Sequence, residues 1–220
     1  MTKSRAMKRV AVVVGAAGLS ACAVEQPLPQ CTVGRGAHAV RYEPVSGSGA
    51  CATKVAENVG AQSFRRLEIP GTPPLLALRP ASLAVSGAAD DNITSEGSFN
   101  SEYPTRDDAA CRVPALTDAS QEVGGVLKHY RWSNVVLYNS AAIPGTQWTA
   151  TLEYNEGDCA ATFKAVGVFP SISCRVNGQI VPEECNRPRP GLSLDPAFPV
   201  RCDTDSGLCV LDGEPPAVKP

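Results

Sequence analysis

The first 22 residues constrain this 220-residue chain most, because they determine the compartment in which the rest must fold. Four basic residues and no acidic residue lie in the first nine positions: Lys3, Arg5, Lys8 and Arg9. The apolar and small-residue run VAVVVGAAGLSAC follows, from Val10 to Cys22. Charge, length and small residues together predict an export signal over residues 1–21. The run is too short for a transmembrane helix, which needs about 20 apolar residues.

The last four residues of this run are Leu19-Ser20-Ala21-Cys22, which resemble the lipobox of bacterial lipoproteins. In that family the peptide before the cysteine is removed, diacylglycerol is attached to the thiol and the new amine is acylated. The resemblance therefore implies lipidation at Cys22, and a plain secretory signal cut after Ala21 is the alternative. In enteric lipoproteins an Asp after the cysteine retains the protein in the inner membrane. Ala23 stands there, so the resemblance implies sorting to the outer membrane.

The charge of the mature chain limits its partners. Without the four basic residues of the signal, 16 basic and 22 acidic residues leave a formal charge of -6 on 199 residues. This balance disfavours nucleic acid and anionic lipid headgroups as partners. Contact with the membrane is therefore expected through the lipid at Cys22, with a second envelope protein or a glycan as a further partner.

Eight cysteines remain once Cys22 carries the lipid, and an even number in an oxidising compartment predicts four disulfides. A metal site is disfavoured because no C-x-x-C spacing occurs and only His38 and His129 offer imidazole. We therefore expect no metal and no cofactor. The candidates for disulfides are Cys31, Cys51, Cys111, Cys159, Cys174, Cys185, Cys202 and Cys209.

The pairing is predicted mainly from proximity along the chain. Six residues separate Cys202 from Cys209, which fits a bridged hairpin. A pair of Cys159 with Cys174 is disfavoured, because a strand over residues 160–169 travels about 33 Å before the chain can return. The remaining expected pairs are Cys31–Cys51, Cys111–Cys159 and Cys174–Cys185.

The pattern of the chain predicts a mainly β fold: one antiparallel, sheet-like or sandwich-like domain over residues 31–211, stapled by disulfides, with long loops and little helix. Residues 147–154 alternate strictly, with Trp148 and Tyr154 on one face, and residues 160–169 return after a polar turn. Seven of the 12 aromatic residues lie between Val126 and Phe169, and a sheet core is favoured over a ligand platform. Residues 22–30 are expected to form a lipidated tether, and residues 212–220 a disordered tail.

Other segments have weaker signals. Asn177-Gly178 predicts a hairpin, and residues 200–202 and 208–211 predict another. Residues 62–69 and 75–85 are broken by prolines and are expected to form short or edge strands. Residues 88–108 are polar and predict a long exposed loop. The best helix candidate is residues 52–60.

No motif in the chain specifies a reaction. Asp203, Asp205 and Gly207 resemble the start of a calcium loop, but Glu214 lies seven residues after the glycine, and a disulfide-closed turn explains the same residues. His38 and His129 both lie in predicted strands without a neighbouring nucleophile. We therefore expect that the protein is not an enzyme and that no residue is catalytic.

As a whole the chain resembles the small cysteine-rich outer-membrane lipoproteins of Gram-negative bacteria, including the Mlp lipoproteins of myxobacteria. The specific match covers residues 1–22, and beyond them composition and cysteine usage carry it. The leading hypothesis is a lipid-anchored envelope protein with a binding or structural role. An envelope hydrolase and an accessory lipoprotein of an assembly or secretion complex are the alternatives.

Overall fold

The computed structural model describes residues 29–65, 72–83, 92–189, 191 and 193–219. The predicted signal, the lipidation site at Cys22 and most of the tether lie outside these residues. The described chain is dominated by antiparallel strands with three short 3-10 helices, so the predicted mainly β fold is confirmed. Within this part of the chain no helix is long and apolar enough to cross a bilayer.

Thirteen strands are present in the described residues. In chain order they are β1 Gly36–Gly47, β2 Glu57–Phe64, β3 Leu75–Pro80, β4 Ser95–Ser98, β5 Ala110–Ala115, β6 Ala119–Val123, β7 Val126–Asn139, β8 Pro144–Glu156, β9 Cys159–Val168, β10 Arg175–Val176, β11 Gln179–Ile180, β12 Val200–Asp203 and β13 Leu208–Leu211. The 3-10 helices are Gly49–Thr53, Ala81–Leu83 and Pro182–Asn186.

The first nine strands form one curled sheet in the order β4-β3-β2-β1-β9-β8-β7-β5, with β6 pairing the other half of the long strand β7. The two ends of this sheet approach each other. Thr117 N donates to Glu96 O at 2.8 Å, and Asn100 N donates to Arg112 O at 2.8 Å. The curl therefore gives the sheet an inner face, which encloses the core, and an outer face.

The inner face is filled by aromatic and aliphatic side chains. Trp132, Trp148, Tyr130 and Phe163 are at most 1% exposed, which confirms the prediction that these aromatic residues form a core. Trp132 and Trp148 meet edge to face with ring centroids 6.0 Å apart. Gly167 lies opposite Trp148, and a Cβ there would be 2.3 Å from Cε2 of the indole. The glycine therefore makes room for the indole ring.

The C-terminal segment covers part of the outer face and forms a second core. Ile172, Phe198 and Val210 pack with Val166 and Val168 of β9. Arg41 on β1 donates through Nε to Leu211 O at 2.8 Å and through Nη2 to Gly213 O at 2.7 Å. The segment is thus attached both by apolar packing and by a buried guanidinium.

The expectation that residues 212–220 form a disordered tail is wrong. Ala217 is buried, and its backbone makes two 2.8 Å hydrogen bonds with the side-chain amide of the fully buried Gln147. Lys219 N also donates to Ala197 O at 2.6 Å. Residues 212–219 therefore belong to the folded domain, because β8 offers them a buried amide as a partner.

The eight candidate cysteines form four disulfides, but none of the four expected pairs is right. The bonds are Cys31–Cys111, Cys51–Cys159, Cys174–Cys202 and Cys185–Cys209. Cys202 and Cys209 do lie opposite each other in the predicted β12–β13 hairpin. Residues 172–185 cross this hairpin, since Cys209 N donates to Ile172 O at 2.8 Å, and each hairpin cysteine bonds to a cysteine of that crossing segment.

Three further expectations are wrong in part. The predicted helix over residues 52–60 is instead the end of a 3-10 helix followed by β2. Strand β3 is short, as expected, at six residues, but it is not an edge strand, because it lies between β2 and β4. Residues 66–69 and 84–85 of the two predicted stretches lie outside the described residues. The predicted loop over residues 88–108 contains β4. The hairpin at Asn177-Gly178 is confirmed as β10–β11.

Candidate functional site

The described ionisable side chains that stand out by burial and by mutual contact lie at one end of the sheet interior. Lys54 follows the first 3-10 helix, which the Cys51–Cys159 disulfide ties to β9. Glu57 begins β2, and tyrosines from β1, β7 and β8 reach the same point. We call this group the Lys54 site and define it by Tyr42, Lys54, Glu57, Ser82, Tyr130 and Tyr154.

Three tyrosine rings surround the ammonium group of Lys54. Its Nζ lies 4.4 Å from the ring centroid of Tyr154, 4.9 Å from that of Tyr130 and 5.1 Å from that of Tyr42. Aromatic faces attract a cation at these distances, and the attraction strengthens when water is excluded. Tyr130 and Tyr154 are direct neighbours in the β7–β8 register, so sheet pairing itself builds two walls of this cage.

Glu57 neutralises the lysine and organises the hydroxyl groups. Its Oε1 lies 2.9 Å from Lys54 Nζ. The same oxygen accepts hydrogen bonds from Tyr42 OH at 2.7 Å and from Tyr130 OH at 2.9 Å. The backbone N–H of Ser82 donates to Oε2 at 3.3 Å. A buried carboxylate is tolerated when it is paired and hydrogen-bonded in this way.

The pKa shifts follow from burial and from this pairing. Burial lowers the pKa of Lys54, and the Glu57 carboxylate opposes the shift. Burial alone would raise the pKa of Glu57, but Lys54 and the hydrogen bonds from Tyr42 and Ser82 outweigh it, so the pKa lies below its usual value. Burial, reinforced by the charge of Glu57, raises the pKa of Tyr130 well above the usual value for tyrosine. The resting site is therefore a carboxylate, an ammonium and neutral phenols.

Ser82 completes a chain of hydrogen-bonding groups. Its Oγ lies 2.5 Å from Tyr130 OH, and Lys54 Nζ donates to the same phenol oxygen at 2.7 Å. Serine, tyrosine and lysine in consecutive contact are residue types that can support nucleophilic catalysis. Here the O–H of the Tyr130 phenol donates a hydrogen bond to Glu57, and the Lys54 ammonium is paired with the same carboxylate. Neither group is left as a free base toward Ser82.

A cleft of about 350 Å³ opens beside the Lys54 site. Its rim carries a second ion pair, Lys128 with Glu156 at 3.3 Å, and Tyr154 OH donates to Glu156 Oε2 at 2.7 Å. Both charges in this rim are therefore paired as well. The volume lies at the lower end of the range for small-molecule pockets.

The two histidines are not brought together. His38 is completely buried, its Nδ1 lies 3.1 Å from Trp148 Nε1, and its Nε2 lies 2.8 Å from Gly34 O. His129 is on β7 with its Nε2 3.1 Å from Asp118 Oδ2. No nucleophile contacts either imidazole in the described residues.

The segment 203–207, which resembles the start of a calcium loop, forms hydrogen bonds within itself. Asp203 Oδ1 accepts from the N–H of Ser206 at 2.9 Å and from its hydroxyl at 2.6 Å. Glu214 is bonded to Lys164 instead of turning toward this loop. Among the described residues, the cluster with the spacing of a metal site is Cys174, Cys185 and Cys209, whose sulfurs lie within 4.8 Å of one another. All three are in disulfides, so they do not offer thiolates.

Sequence reasoning missed Lys54, Glu57 and Ser82. Lys54 and Glu57 are three residues apart in a segment predicted to be helical, where such a pair reads as an ordinary surface ion pair. Ser82 lies 25 residues after Glu57 and reaches it only through the pairing of β2 with β3. The aromatic run of β7 and β8 was the one signal that pointed to this end of the sheet.

These features define a class of protein: a disulfide-bonded β domain with a filled interior and a paired, buried lysine. The chain belongs to the MlpA family, whose model matches residues 36–170. It is 32% identical over 231 residues to the Myxococcus xanthus protein named "Putative lipoprotein MlpA", covering 94% of this chain and 96% of that protein. The predicted resemblance to myxobacterial Mlp lipoproteins is thereby confirmed. No solved structure matches the chain.

Proposed function

We propose that the protein is a lipid-anchored component of the outer membrane, attached through Cys22, with a binding or structural role and no catalytic one. The anchor is supported by the Leu19-Ser20-Ala21-Cys22 box and by the lipoprotein name of the relative. The observation that carries the non-catalytic role is the Lys54 site, where Glu57 pairs the ammonium and the phenols are protonated.

Metabolic labelling with a fatty acid tests the anchor. The wild-type chain should take up label and partition with outer-membrane vesicles, whereas Cys22→Ala should remain unlabelled, because its thiol is the acceptor. Cys22 is the only cysteine among the first 30 residues, so the substitution leaves every disulfide intact. Equal labelling of both chains would contradict the proposal.

One observation favours a second candidate, an envelope hydrolase with Ser82 as its nucleophile. Ser82 Oγ, Tyr130 OH and Lys54 Nζ are in consecutive hydrogen-bonding contact. Such a hydrolase needs a base that can take the serine proton, and Glu57 already engages both Tyr130 and Lys54.

A serine-directed fluorophosphonate separates the two candidates. We expect the wild-type protein to react no faster than Ser82→Ala, because Ser82 is not activated. Labelling that requires both Ser82 and Lys54 in a folded protein would support the hydrolase and contradict the non-catalytic role. Lys54→Met with unchanged circular dichroism is the appropriate second variant.

A further inference from the structure

The tether enters the domain at the end of β2. The side chain of Gln30 donates to Glu102 Oε1 at 2.9 Å, and Cys31 is bonded to Cys111. The hydroxyl groups of Thr32 and Ser63 are 3.0 Å apart, next to the last residue of β2. Residues 30–32 therefore lie at this end of the sheet, opposite the Lys54 site near the start of β2.

A groove of about 350 Å³ lies on the outer face of β1, β2 and β3 at the same end. Gly60 and Ala77 form its floor, and Arg35, Phe64 and Arg79 stand around it. In the sheet register Arg79 is opposite Gly60, so its side chain rises beside a position that has none. We call this surface the arginine groove. The C-terminal segment, which packs on β1 and β9, leaves it open.

Both guanidinium groups of the groove are exposed and have no hydrogen-bond or ion-pair partner among the described residues. Other exposed arginines are matched: Arg65 with Glu102, Arg112 with Asp108 and Arg131 with Asp118. Glu96 lies opposite Ala77 on β4, diagonal to Arg79, and forms no ion pair with it. Unpaired arginines over a small-residue floor match an anion such as phosphate, which guanidinium binds through two parallel hydrogen bonds.

Two exposed aromatic side chains mark the same end of the domain. Phe64 is 41% exposed and lines the groove, and Tyr103 is 45% exposed beside Gln30. Tyrosine is enriched where proteins meet the headgroup layer of a membrane, and phenylalanine occurs on the apolar face of segments that lie in this layer. Charge and aromatic exposure therefore coincide on the side from which the tether leaves.

We propose that the arginine groove binds the phosphate headgroups of anionic phospholipids in the membrane that carries the anchor. The proposal rests on lipidation at Cys22, because the anchor brings this end of the domain to the bilayer. Eight peptide bonds connect Cys22 to Gln30, a reach of at most about 30 Å, and Arg35 is five residues further on. A short tether leaves the groove within reach of the headgroups, and the contact orients the domain on the membrane.

Vesicle binding of the mature chain, residues 22–220 with Cys22→Ala, tests the groove without the acyl chains. All the described core and all four disulfides lie in residues 29–219, so this chain keeps the domain whole. It should bind phosphatidylglycerol-containing vesicles more tightly than pure phosphatidylcholine vesicles. Arg35→Gln and Arg79→Gln should each weaken binding about fivefold, and together about 25-fold. Added salt should weaken binding of the wild-type groove more than that of the double variant.

Arg201→Gln is the matched control, since Arg201 is also exposed but lies on β12 beside Asp212 at 3.6 Å. Its binding should be unchanged, whereas Glu96→Gln should strengthen binding by removing a negative charge near Arg79. Equal affinity for the two vesicle types, or equal losses in the groove and control variants, would overturn the proposal. Binding of soluble glycerol phosphate without vesicle binding would overturn it as well.

The proposal of headgroup binding and the proposal of lipidation can be contradicted independently. Arginine-dependent vesicle binding with no fatty-acid label at Cys22 would overturn the anchor alone. A labelled Cys22 with no arginine-dependent vesicle binding would overturn the groove alone.

Discussion

His38 has both ring nitrogens engaged inside the sheet. The indole N–H of Trp148 donates to its Nδ1, so the proton of the neutral ring sits on Nε2 and is donated to Gly34 O. A protonated ring would place an N–H on Nδ1 against the N–H of Trp148. Burial lowers the pKa of His38 to about 4, although the hydrogen bond to Gly34 opposes the shift.

His38 should therefore make the fold sensitive to acid. Between about pH 6.5 and about pH 4 the unfolded chain takes up a proton at His38 and the folded chain does not. Above pH 6.5 neither state binds this proton, so His38 has no effect on stability there. At pH 4 the extra proton bound by the unfolded chain should have lowered the free energy of unfolding by about 3 kcal/mol. Urea titrations at a series of pH values measure it.

The comparison with two variants isolates this histidine from the carboxylates. His38→Gln should lose most of the slope between pH 6.5 and 4, because its amide does not titrate. His129→Gln should keep the contribution of His38, because it leaves both hydrogen bonds of the His38 ring unchanged. An identical slope in wild type and His38→Gln would show that His38 is not the source.

At the scale of elements, the first 3-10 helix depends on a disulfide for its position. Residues 49–53 contain one buried side chain, Cys51, which bonds to Cys159 at the start of β9. Lys54 follows directly and reaches into the sheet interior. The disulfide therefore positions Lys54 in addition to closing the loop between Cys51 and Cys159.

Removing this disulfide by Cys51→Ala with Cys159→Ala should destabilise the domain by about 4 to 5 kcal/mol. The bond spans 108 residues, and the chain-entropy model assigns such a loop this magnitude. Amide exchange should rise most in residues 49–57, because the helix loses its attachment to β9. Chemical denaturation and mass-resolved exchange measure the two effects.

Cys174→Ala with Cys202→Ala is the control for this variant. Its loop spans 28 residues, so the loss should be smaller, and exchange should rise in the C-terminal segment instead. Exchange in residues 49–57 that is unchanged by loss of Cys51–Cys159 would contradict the positioning role.

At the scale of the whole molecule, the C-terminal segment and the sheet stabilise each other. Gln147 on β8 is fully buried, and both atoms of its amide bond to Ala217. Arg41 on β1 bonds to Gly213 O. Without residues 212–220 these polar groups would lie against the sheet with fewer partners.

Ending the chain after Leu211 should lower the free energy of unfolding by about 2 to 4 kcal/mol, because a buried amide left without partners costs about 1 to 3 kcal/mol. The far-ultraviolet spectrum of the curled sheet should persist. Thermal and urea unfolding measure the change.

Gln147→Leu separates the amide from other effects of the truncation. In the shortened chain it should recover part of the lost stability, because a leucine needs no hydrogen bonds, and in the full chain it should be destabilising. A truncated chain as stable as the full one would show that the tail contributes nothing to the fold.

The sequence alone determined the formation of disulfides, the β class of the fold and the aromatic core, and it predicts an export signal over residues 1–21. These properties depend on local composition or on period-2 alternation, as in residues 147–154, and neighbouring residues carry all the information. The hairpins at Asn177-Gly178 and at residues 200–211 followed for the same reason, since a turn is a local structure.

Only the tertiary structure decided which cysteines pair, where Lys54 points and whether the tail is ordered. Curling of the sheet brings Cys31 to Cys111 and Cys51 to Cys159 across 80 and 108 residues, so proximity along the chain misled the pairing. Lys54, Ser82 and Tyr130 meet because β2, β3 and β7 close around one interior. Likewise the negative net charge of the chain gave no sign that Arg35 and Arg79, on one face, have no ion-pair partner among the described residues. Contacts between distant residues arise from the closing of the sheet, and no local pattern encodes them.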